Sequence, residues 1–293
     1  MKLVTFIREN GEQALGVKIE SGIADVARAG WSGDVMDVIA GGEKAVAELE
    51  RVIGGLGSSS DSGVVLDEAS LEWGPCVTRP NKIICVGLNY RKHAEETNAP
   101  IPEYPILFNK FNNTLTGHRK PIAVPEVTRK LDYEAELVVV IGATAKNVAK
   151  EDALRHVFGY ACVNDLSARD LQLRTHQWLL GKTCDDFSPL GPYLVTADEV
   201  GDPNALAIRA IVNGEVRQSS NTSDMIFRVD EIVSYISRHM TLVPGDLILT
   251  GTPEGVVLGL PPERQVYLQP GDEVTIEIEK LGSLTNRFVP EGR

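Results

Sequence analysis

The stretch from Leu131 to Gly142 constrains the fold of this chain more than any other. It is a run of apolar and β-branched residues without proline, closed by a glycine, and this composition predicts a β-strand. Successive side chains on a strand point to opposite faces, so Asp132, Glu134 and Glu136 share one face. That face continues with valines, so both faces are apolar beyond the acids. The pattern indicates a strand that is covered on both sides.

The acids of this stretch therefore lie at the mouth of a covered strand. Several carboxylates gathered away from water are costly, because they repel one another and lose hydration. A divalent cation removes that cost, and carboxylates without a nearby Cys or His favour Mg²⁺, Mn²⁺ or Ca²⁺ over zinc. The alternative interpretation is an edge strand with a solvated acidic face.

The composition is that of an ordinary globular protein with an acidic surface. The chain has 293 residues, a formal net charge of −12 and 43% hydrophobic residues. A negative surface argues against nucleic acid or an anionic membrane as a partner, because both attract basic proteins. The four cysteines lack metal-site spacing and disulfide density, and no apolar run reaches the roughly 18 residues of a membrane span. The first ten residues do not form a signal peptide, so we expect a cytoplasmic protein.

Residues 1–72 are predicted to form a small α+β module that packs on the rest of the chain. Asn10-Gly11 is a turn pair, and apolar periodicity gives the flanking elements. Composition predicts a flexible loop over residues 54–63. The expected elements are two strands, Leu3–Ile7 and Ala14–Ile19, and two helical segments, Asp34–Ile39 and Lys44–Ile53.

The segment Asn89–Glu96 has helical composition and contains a candidate general base. His93 and Glu96 are three residues apart, so on one helical turn they share a face. A carboxylate beside an imidazole fixes its tautomer and raises its basicity. The alternative is a surface ion pair on a polar helix.

A third acid and two polar side chains follow the next predicted strand. Gly159–Val163 is a buried strand that ends near Asp165, the natural third metal ligand. A helical segment follows, which Ser167 caps and Asp170 completes as a capping box. Arg169 and Gln172 share one of its faces and suit a substrate carboxylate or a developing oxyanion. The alternative is an exposed helix face.

Two further positions are candidates for binding an anion. Lys182 follows the apolar pair Leu179-Leu180; it either reaches solvent or, near the acids, faces an enolate or carbonyl oxygen. Residues 250–256 form a tight loop whose free amides and Thr252 hydroxyl are suited to a small anion. The chain lacks a Gly-x-Ser-x-Gly elbow, a His-Glu-x-x-His motif and a dinucleotide fingerprint.

The remaining elements predict a β-rich α+β fold. An Asn-Gly turn joins two strands of a hairpin over residues 207–218, and two Pro-Gly-Asp turns each begin a strand. This repetition suggests sheets that wrap into a roll or barrel. The other expected elements are the strands Lys82–Val86, Ile106–Phe111, Leu247–Thr250 and Glu273–Glu279 and the helices Glu151–Phe158 and Asp230–Met240.

Together these pieces resemble the fumarylacetoacetate hydrolase family over roughly residues 80–290. Five motifs occur in the family's order. They are Gly87-Leu88-Asn89-Tyr90 with His93 and Glu96, Leu131 to Leu137, Asn164 to Gln172, Gly181-Lys182, and Thr250 to Val256.

The resemblance implies a catalytic domain of mixed β-roll or barrel type over residues 80–290, dimeric, with residues 1–72 as an added N-terminal domain. It implies that Glu134, Glu136 and Asp165 hold Mg²⁺, or Mn²⁺ or Ca²⁺. It further implies a His93–Glu96 dyad that activates water on a lid. It assigns the pyruvate-like end of the substrate to Arg169, Gln172, Lys182 and Thr252, with Lys182 also catalytic.

The function that we predict is metal-dependent hydrolysis of a carbon–carbon bond in an acylpyruvate-type 2,4-dioxo acid, a small anionic substrate of the kind found in aromatic catabolism. The family also contains isomerases of hydroxymuconate-type 2-hydroxy-dienedioates, keto–enol isomerases and oxaloacetate decarboxylases, which use the same site. A metal-stabilised scaffold without turnover is the remaining alternative.

Overall fold

A computed structural model describes residues 1–56 and 63–292. The described strands form a 12-stranded mixed sheet, a 5-stranded sheet and a 2-stranded ribbon. The strands are β1 (Lys2–Ile7), β2 (Gln13–Ile19), β3 (Gly22–Asp25), β4 (Val65–Leu66), β5 (Glu72–Trp73), β6 (Ile83–Gly87), β7 (Ile106–Lys110), β8 (Leu115–Thr116), β9 (Ile122–Val124), β10 (Leu131–Asp132), β11 (Ala135–Ile141), β12 (Val157–Asn164), β13 (Ser167–Ala168), β14 (Ser188–Thr196), β15 (Ala207–Val212), β16 (Glu215–Asn221), β17 (Leu247–Leu249), β18 (Glu273–Ile278) and β19 (Gly282–Pro290).

Short helices connect these strands. The α-helices are α1 (Val35–Gly54), α2 (Arg91–Glu96), α3 (Arg169–Gln172), α4 (Leu179–Lys182), α5 (Ala197–Val200) and α6 (Val229–His239). Single 3₁₀ turns lie at Glu68–Ser70, Asn112–Thr114, Thr222–Asp224, Val257–Gly259 and Pro262–Arg264, and a longer 3₁₀ segment spans Lys150–His156. This last segment was predicted as an α-helix to Phe158, but Val157 already begins β12.

The large sheet is organised around β11. This strand pairs antiparallel with β12 on one side and with β17 on the other, and all of its residues are buried. The interpretation as an edge strand with a solvated face is therefore wrong. The path runs β4-β3-β2-β1-β14-β12-β11-β17-β6-β7, and the 5-stranded sheet runs β16-β15-β18-β19-β9. The β-rich α+β class is confirmed, and no barrel closes among the described strands.

The alternation of side chains along β11 places its two faces in two different cores. Leu137, Val139 and Ile141 pack in the core that contains the 5-stranded sheet and α6. Val138 and Val140 pack in the core that contains the apolar face of α1. The strand is covered on both sides as predicted, because each face has its own apolar layer.

The predicted single strand from Leu131 is interrupted before β11. Leu131 and Asp132 pair with β13 instead of β12, and the Asp132 carboxylate accepts from the Tyr133 amide at 2.9 Å. The next two amides donate to side chains: Glu134 N to Asn164 Oδ1 and Ala135 N to a glutamine, each at 2.9 Å. Side-chain acceptors therefore replace strand pairing at this point.

The N-terminal residues extend the large sheet. β1 pairs with β14, with Leu3 opposite Leu194. The two predicted helical segments form α1, which Asp34 caps and which is interrupted at Gly42, where φ is 56°. Residues 57–62 of the predicted flexible loop lie outside the described residues. The division at residues 1–72 and 80–290 stays a prediction.

Within the described part of the chain, no helix combines the length and the apolar character needed to cross a membrane.

Candidate active site

The nine predicted site residues come together at one cavity of about 570 Å³. Eight of them line it, and Asp165 offers a carboxylate oxygen within 4.8 Å of those of Glu134 and Glu136. The eight lining residues come from α2, the start of β11 and the residue before it, α3, α4 and the loop after β17; they are His93, Glu96, Glu134, Glu136, Arg169, Gln172, Lys182 and Thr252.

Three carboxylates form a cluster at this cavity. Glu134, Glu136 and Asp165 are all buried, and each offers an oxygen within 4.8 Å of the others. The fold brings them together because Ala135 pairs with Asn164 in the β11–β12 ladder, which sets Asp165 beside Glu134. The Asp165 amide donates to the Glu134 carbonyl at 2.9 Å, which fixes this register.

Three buried cations face the acids. Lys182 Nζ lies 2.6 Å from Glu134 Oε2 and 2.7 Å from Asp165 Oδ2. Lys110 Nζ lies 2.5 Å from Asp165 Oδ1. Arg169 contacts Glu134 Oε1 through Nη1 at 2.8 Å and Asp132 Oδ2 through Nε at 2.9 Å. Lys182 is thus buried among carboxylates and does not extend to solvent.

The charges in this cluster leave one carboxylate without a cationic partner. Burial opposes ionisation of Glu134, but the charges of Lys182 and Arg169 lower its pKa to about 2. Glu136 instead accepts the Gly251 amide at 2.8 Å. Burial, with the neighbouring charges of Asp165 and Glu134, raises the pKa of Glu136 well above its usual range.

This donor set fits a hard divalent cation. The three acids supply only carboxylate oxygens, and one of them has no compensating charge among the described residues. Hard cations such as Mg²⁺ and Mn²⁺ prefer such oxygens, and their charge offsets the burial of the acids. Glu134, Glu136 and Asp165 are the residues that would hold the ion.

A histidine–glutamate pair also lines the cavity. His93 Nδ1 lies 2.8 Å from Glu96 Oε1, and Glu96 Oε2 accepts the Gly255 amide at 2.9 Å. His93 is only 6% exposed, so it is not part of a surface ion pair. Because Nδ1 faces a carboxylate, the proton of neutral His93 belongs on Nδ1, which leaves Nε2 free as a base.

Arg169 and Gln172 form a buried polar wall beside the acids. Arg169 Nη1 donates to Gln172 Oε1 at 3.0 Å, and both side chains are buried, so the interpretation as an exposed helix face is wrong. Arg169 Nη2 is buried and has no hydrogen-bond partner among the described residues. A buried charged donor without a partner is costly, which points to an acceptor on a ligand.

The predicted capping box does not form. Ser167 belongs to β13 and donates to the Asp165 carbonyl at 2.9 Å, because β13 pairs with β10. Ala168 takes the N-cap position of α3 without a side-chain bond. Asp170 instead accepts the Arg129 amide at 2.9 Å.

The loop of residues 250–256 differs from its prediction as an anion-binding loop. Its Gly251 and Gly255 amides bind the carboxylates of Glu136 and Glu96, at 2.8 and 2.9 Å. Thr252 lines the cavity, and its hydroxyl accepts a hydrogen bond from Gln218 Nε2 at 2.9 Å. The loop thus holds the acids of the protein itself in position.

Sequence reasoning missed four residues that support the site. Lys110 carried a usable signal, since a lysine within an apolar strand must pair when buried. Asn164 and Gln218 carried none, because their partners are backbone amides of distant residues. Asp132 was placed with the acids, but its role in holding Arg169 was not foreseen.

Comparison with known proteins identifies the family of this chain. The family model described as "Fumarylacetoacetate (FAA) hydrolase C-terminal" matches residues 82–289. The mitochondrial oxaloacetate tautomerase fahd2 of Xenopus laevis is 49% identical over 216 residues, which are 73% of this chain and 67% of the relative.

Solved structures of other enzymes have the same fold along the whole chain. Maleylpyruvate hydrolase from Sphingobium sp. SYK-6, in complex with manganese(II) and pyruvate, is 31% identical with a TM-score of 0.82 and covers 100% of both chains. The 2-hydroxyhepta-2,4-diene-1,7-dioate isomerase of Mycobacterium marinum is 32% identical with a TM-score of 0.75 and the same coverage. This chain therefore belongs to the fumarylacetoacetate hydrolase family.

Proposed function

We propose that this chain catalyses proton transfer at carbon 3 of a small 2-oxo acid, with keto–enol tautomerisation of oxaloacetate as its reaction. The observation that carries the proposal is that Arg169, whose buried Nη2 has no hydrogen-bond partner among the described residues, lines the same cavity as the candidate base His93. A relative at 49% identity that is an oxaloacetate tautomerase supports this choice over the other reactions of the family.

The carboxylate of the substrate would bind at the buried polar wall. Arg169 Nη2 offers a charged donor, and Gln172 and Thr252 line the cavity beside it. Charge-assisted hydrogen bonds of this kind are stronger than neutral ones and orient a planar carboxylate. The carboxylates of Glu134, Glu136 and Asp165 repel an anion, so binding of the substrate carboxylate elsewhere beside them is unfavourable.

Glu134, Glu136 and Asp165 would hold a divalent cation, Mg²⁺ or Mn²⁺ before Ca²⁺, which when bound supplies a Lewis acid at the 2-oxo oxygen. Lys182 adds a positive charge at the same end of the cavity, because its Nζ contacts both Glu134 and Asp165. Negative charge that develops on the 2-oxo oxygen is thereby stabilised.

His93 performs the proton transfer. Its Nε2 takes a proton from carbon 3 of the ketone as the carbon–hydrogen bond breaks, and Glu96 stabilises the resulting imidazolium through Nδ1. Return of that proton to the 2-oxo oxygen gives the enol, so no atom or electron is gained or lost. General-base help of this kind contributes on the order of 10² to 10⁴-fold.

Hydrolysis of an acylpyruvate, the function that the sequence analysis predicted, is the second candidate. His93 would then take a proton from water, which attacks the 4-oxo carbon. The bond between carbons 3 and 4 breaks, the acyl part leaves as a carboxylic acid, and the proton passes to carbon 3 of the enolate to give pyruvate. The size of the cavity favours it, since its volume is about 570 Å³ and its lining includes residues outside the polar cluster, such as Pro261 and Pro262. The maleylpyruvate hydrolase of similar fold also supports it.

One assay separates the candidates. Oxaloacetate, acetylpyruvate and fumarylpyruvate are each incubated with the protein and Mg²⁺, then with EDTA, while enol absorbance and pyruvate release are recorded. The proposal expects metal-dependent enol–keto conversion of oxaloacetate. Cleavage of a dioxo acid without that conversion supports the hydrolase, and release of pyruvate from oxaloacetate supports the decarboxylase.

If the protein acts on none of these compounds, two alternatives remain: an isomerase of hydroxymuconate-type substrates, and a metal-stabilised scaffold without turnover. A homodimer, a cytoplasmic location and the absence of nucleic-acid or membrane partners remain predictions.

A further inference from the structure

The Glu96 carboxylate rests against a position that has no side chain. A Cβ placed on Gly259 would lie 2.6 Å from Glu96 Oε2 and 2.8 Å from Glu96 Cγ. Real Cβ atoms do not approach other heavy atoms this closely. Gly259 ends the 3₁₀ turn Val257–Gly259 and lines the active-site cavity. The missing side chain therefore provides the space in which Glu96 lies.

The turn that carries Gly259 is held firmly in place. Asp132 is buried, and its two carboxylate oxygens accept the Val257 and Leu258 amides, each at 3.0 Å. The same Asp132 binds Arg169 Nε at 2.9 Å. The turn cannot retreat from Glu96 without breaking bonds to a buried carboxylate, so a new side chain at 259 displaces Glu96 instead of the turn.

We propose that Gly259 is a positioning residue for the His93–Glu96 pair, which it keeps in its active geometry by leaving room for the Glu96 carboxylate. Two contacts of Glu96 depend on this space: one with His93 Nδ1 at 2.8 Å and one with the Gly255 amide at 2.9 Å. The catalytic consequence rests on the proposed function, since it requires His93 to act as the base.

The Gly259→Ala variant isolates this effect. The backbone of Gly259 is not in the left-handed region, so alanine fits its conformation. The conflicting atoms belong to the end of a flexible side chain, so Glu96 rotates away with little loss of stability. His93 then loses its partner, while the acids, Arg169 and Lys182 keep their contacts. We expect kcat to fall about 10 to 100-fold with KM nearly unchanged.

A double-mutant cycle tests the inference. Oxaloacetate tautomerisation is measured for the wild type, Gly259→Ala, Glu96→Ala and the double variant, all with saturating Mg²⁺. Because Gly259 acts through Glu96, the double variant should have the kcat of Glu96→Ala alone. Wild-type kcat in Gly259→Ala, or effects of the two substitutions that multiply, would overturn the proposal. Gly54→Ala is the matched control, because its Cβ meets no atom within 4 Å.

Unfolding by denaturant tests the contact without any assay of activity. In the Glu96→Ala background the added methyl group has free space, so Gly259→Ala should cost less stability there than in the wild type. If Gly259→Ala alone fails to fold, the double variant should fold; failure of both would overturn the proposal. If Glu96→Ala keeps full activity, the proposed role of the His93–Glu96 pair is wrong. The unfolding measurements on the same four proteins then decide whether Gly259 positions Glu96.

Discussion

The two ends of the active-site cavity are built differently. The inner end consists of five buried residues. Glu136 lies on β11 and Glu134 directly before it, Arg169 and Gln172 lie on α3 directly after β13, and Lys182 lies on α4. The outer end consists of Leu88, Leu173, Trp178, Leu260 and Pro261, which lie on connections and are partly or fully exposed.

The contrast extends to charge. Each cation that lines the cavity belongs to the inner end, where Arg169 and Lys182 face the acids. The outer end is apolar, and Phe108 joins the two ends: its ring centre lies 5.0 Å from Lys182 Nζ and 5.4 Å from the ring centre of Trp178, in an edge-to-face pair. The difference teaches that pairing of strands fixes the reacting end, whereas packing of loops shapes the space for the rest of a substrate.

Removing one carboxylate from the inner end should have the largest effect. Glu136→Gln keeps the shape of the side chain but neutralises one of the three metal ligands, so we expect metal affinity to fall on the order of 10 to 100-fold and activity at least as much. Calorimetric titration with Mn²⁺ and the oxaloacetate assay measure the two effects.

The same substitution should not weaken the fold. Glu136 has no cationic partner among the described residues, and an uncompensated buried charge destabilises a protein. Metal-free Glu136→Gln should therefore unfold at an equal or higher denaturant concentration than metal-free wild type. Marked destabilisation together with unchanged Mn²⁺ affinity would contradict the assignment of Glu136 as a ligand.

Replacing Arg169 by lysine should have the next largest effect. Lysine keeps the charge but cannot contact Asp132, Glu134 and a substrate carboxylate at once, because it lacks the guanidinium fork. We expect KM for oxaloacetate to rise about 10-fold and kcat/KM to fall by at least that factor. Arg209→Lys, which alters an exposed ion pair with Glu277, is the control and should change neither value. An unchanged KM in Arg169→Lys would argue against substrate binding at Nη2.

A lysine at the outer end should have the smallest effect and should alter selectivity. Leu173 lines the cavity and is 59% exposed, so Leu173→Lys adds a cation without disturbing the core. Fumarylpyruvate has a second carboxylate and acetylpyruvate does not. The ratio of the affinity for fumarylpyruvate to that for acetylpyruvate should therefore be about 2 to 5-fold higher in the variant than in the wild type, as expected for an exposed charge pair. Inhibition of oxaloacetate tautomerisation measures both affinities.

Leu180→Lys serves as the control for this change. Leu180 is 56% exposed but does not line the cavity, so the ratio of the two affinities should stay at the wild-type value. An equal shift of the ratio in both variants would show that the added charge acts through the net charge of the protein. The outer end would then not select among substrates by their second carboxylate.

The sequence predicted the inner end well because its signals are local. Alternation of acids along residues 131–142 and an acid after the next buried strand identified Glu134, Glu136 and Asp165, and three-residue spacing paired His93 with Glu96. The break before β11 was not predictable, because it depends on Asn164 and Gln218 binding distant amides.

The outer end was less predictable for the same physical reason. Its shape depends on where a loop packs, and Asp132 fixes the turn of Gly259 from more than a hundred residues away in sequence. The loop of residues 250–256 shows the limit most clearly. Its glycine amides bind anions as predicted, but these anions are the carboxylates of Glu96 and Glu136 of the same chain and not a ligand.

The most direct test of the account is the rate at which oxaloacetate enol converts to the ketone in the presence of Mg²⁺, for the wild type and for His93→Ala. The account predicts conversion by the wild type well above the rate without protein, and a loss on the order of 10² to 10⁴-fold in His93→Ala with Mn²⁺ affinity unchanged. Equal rates for the two proteins would contradict the claim that this cavity transfers a proton through His93.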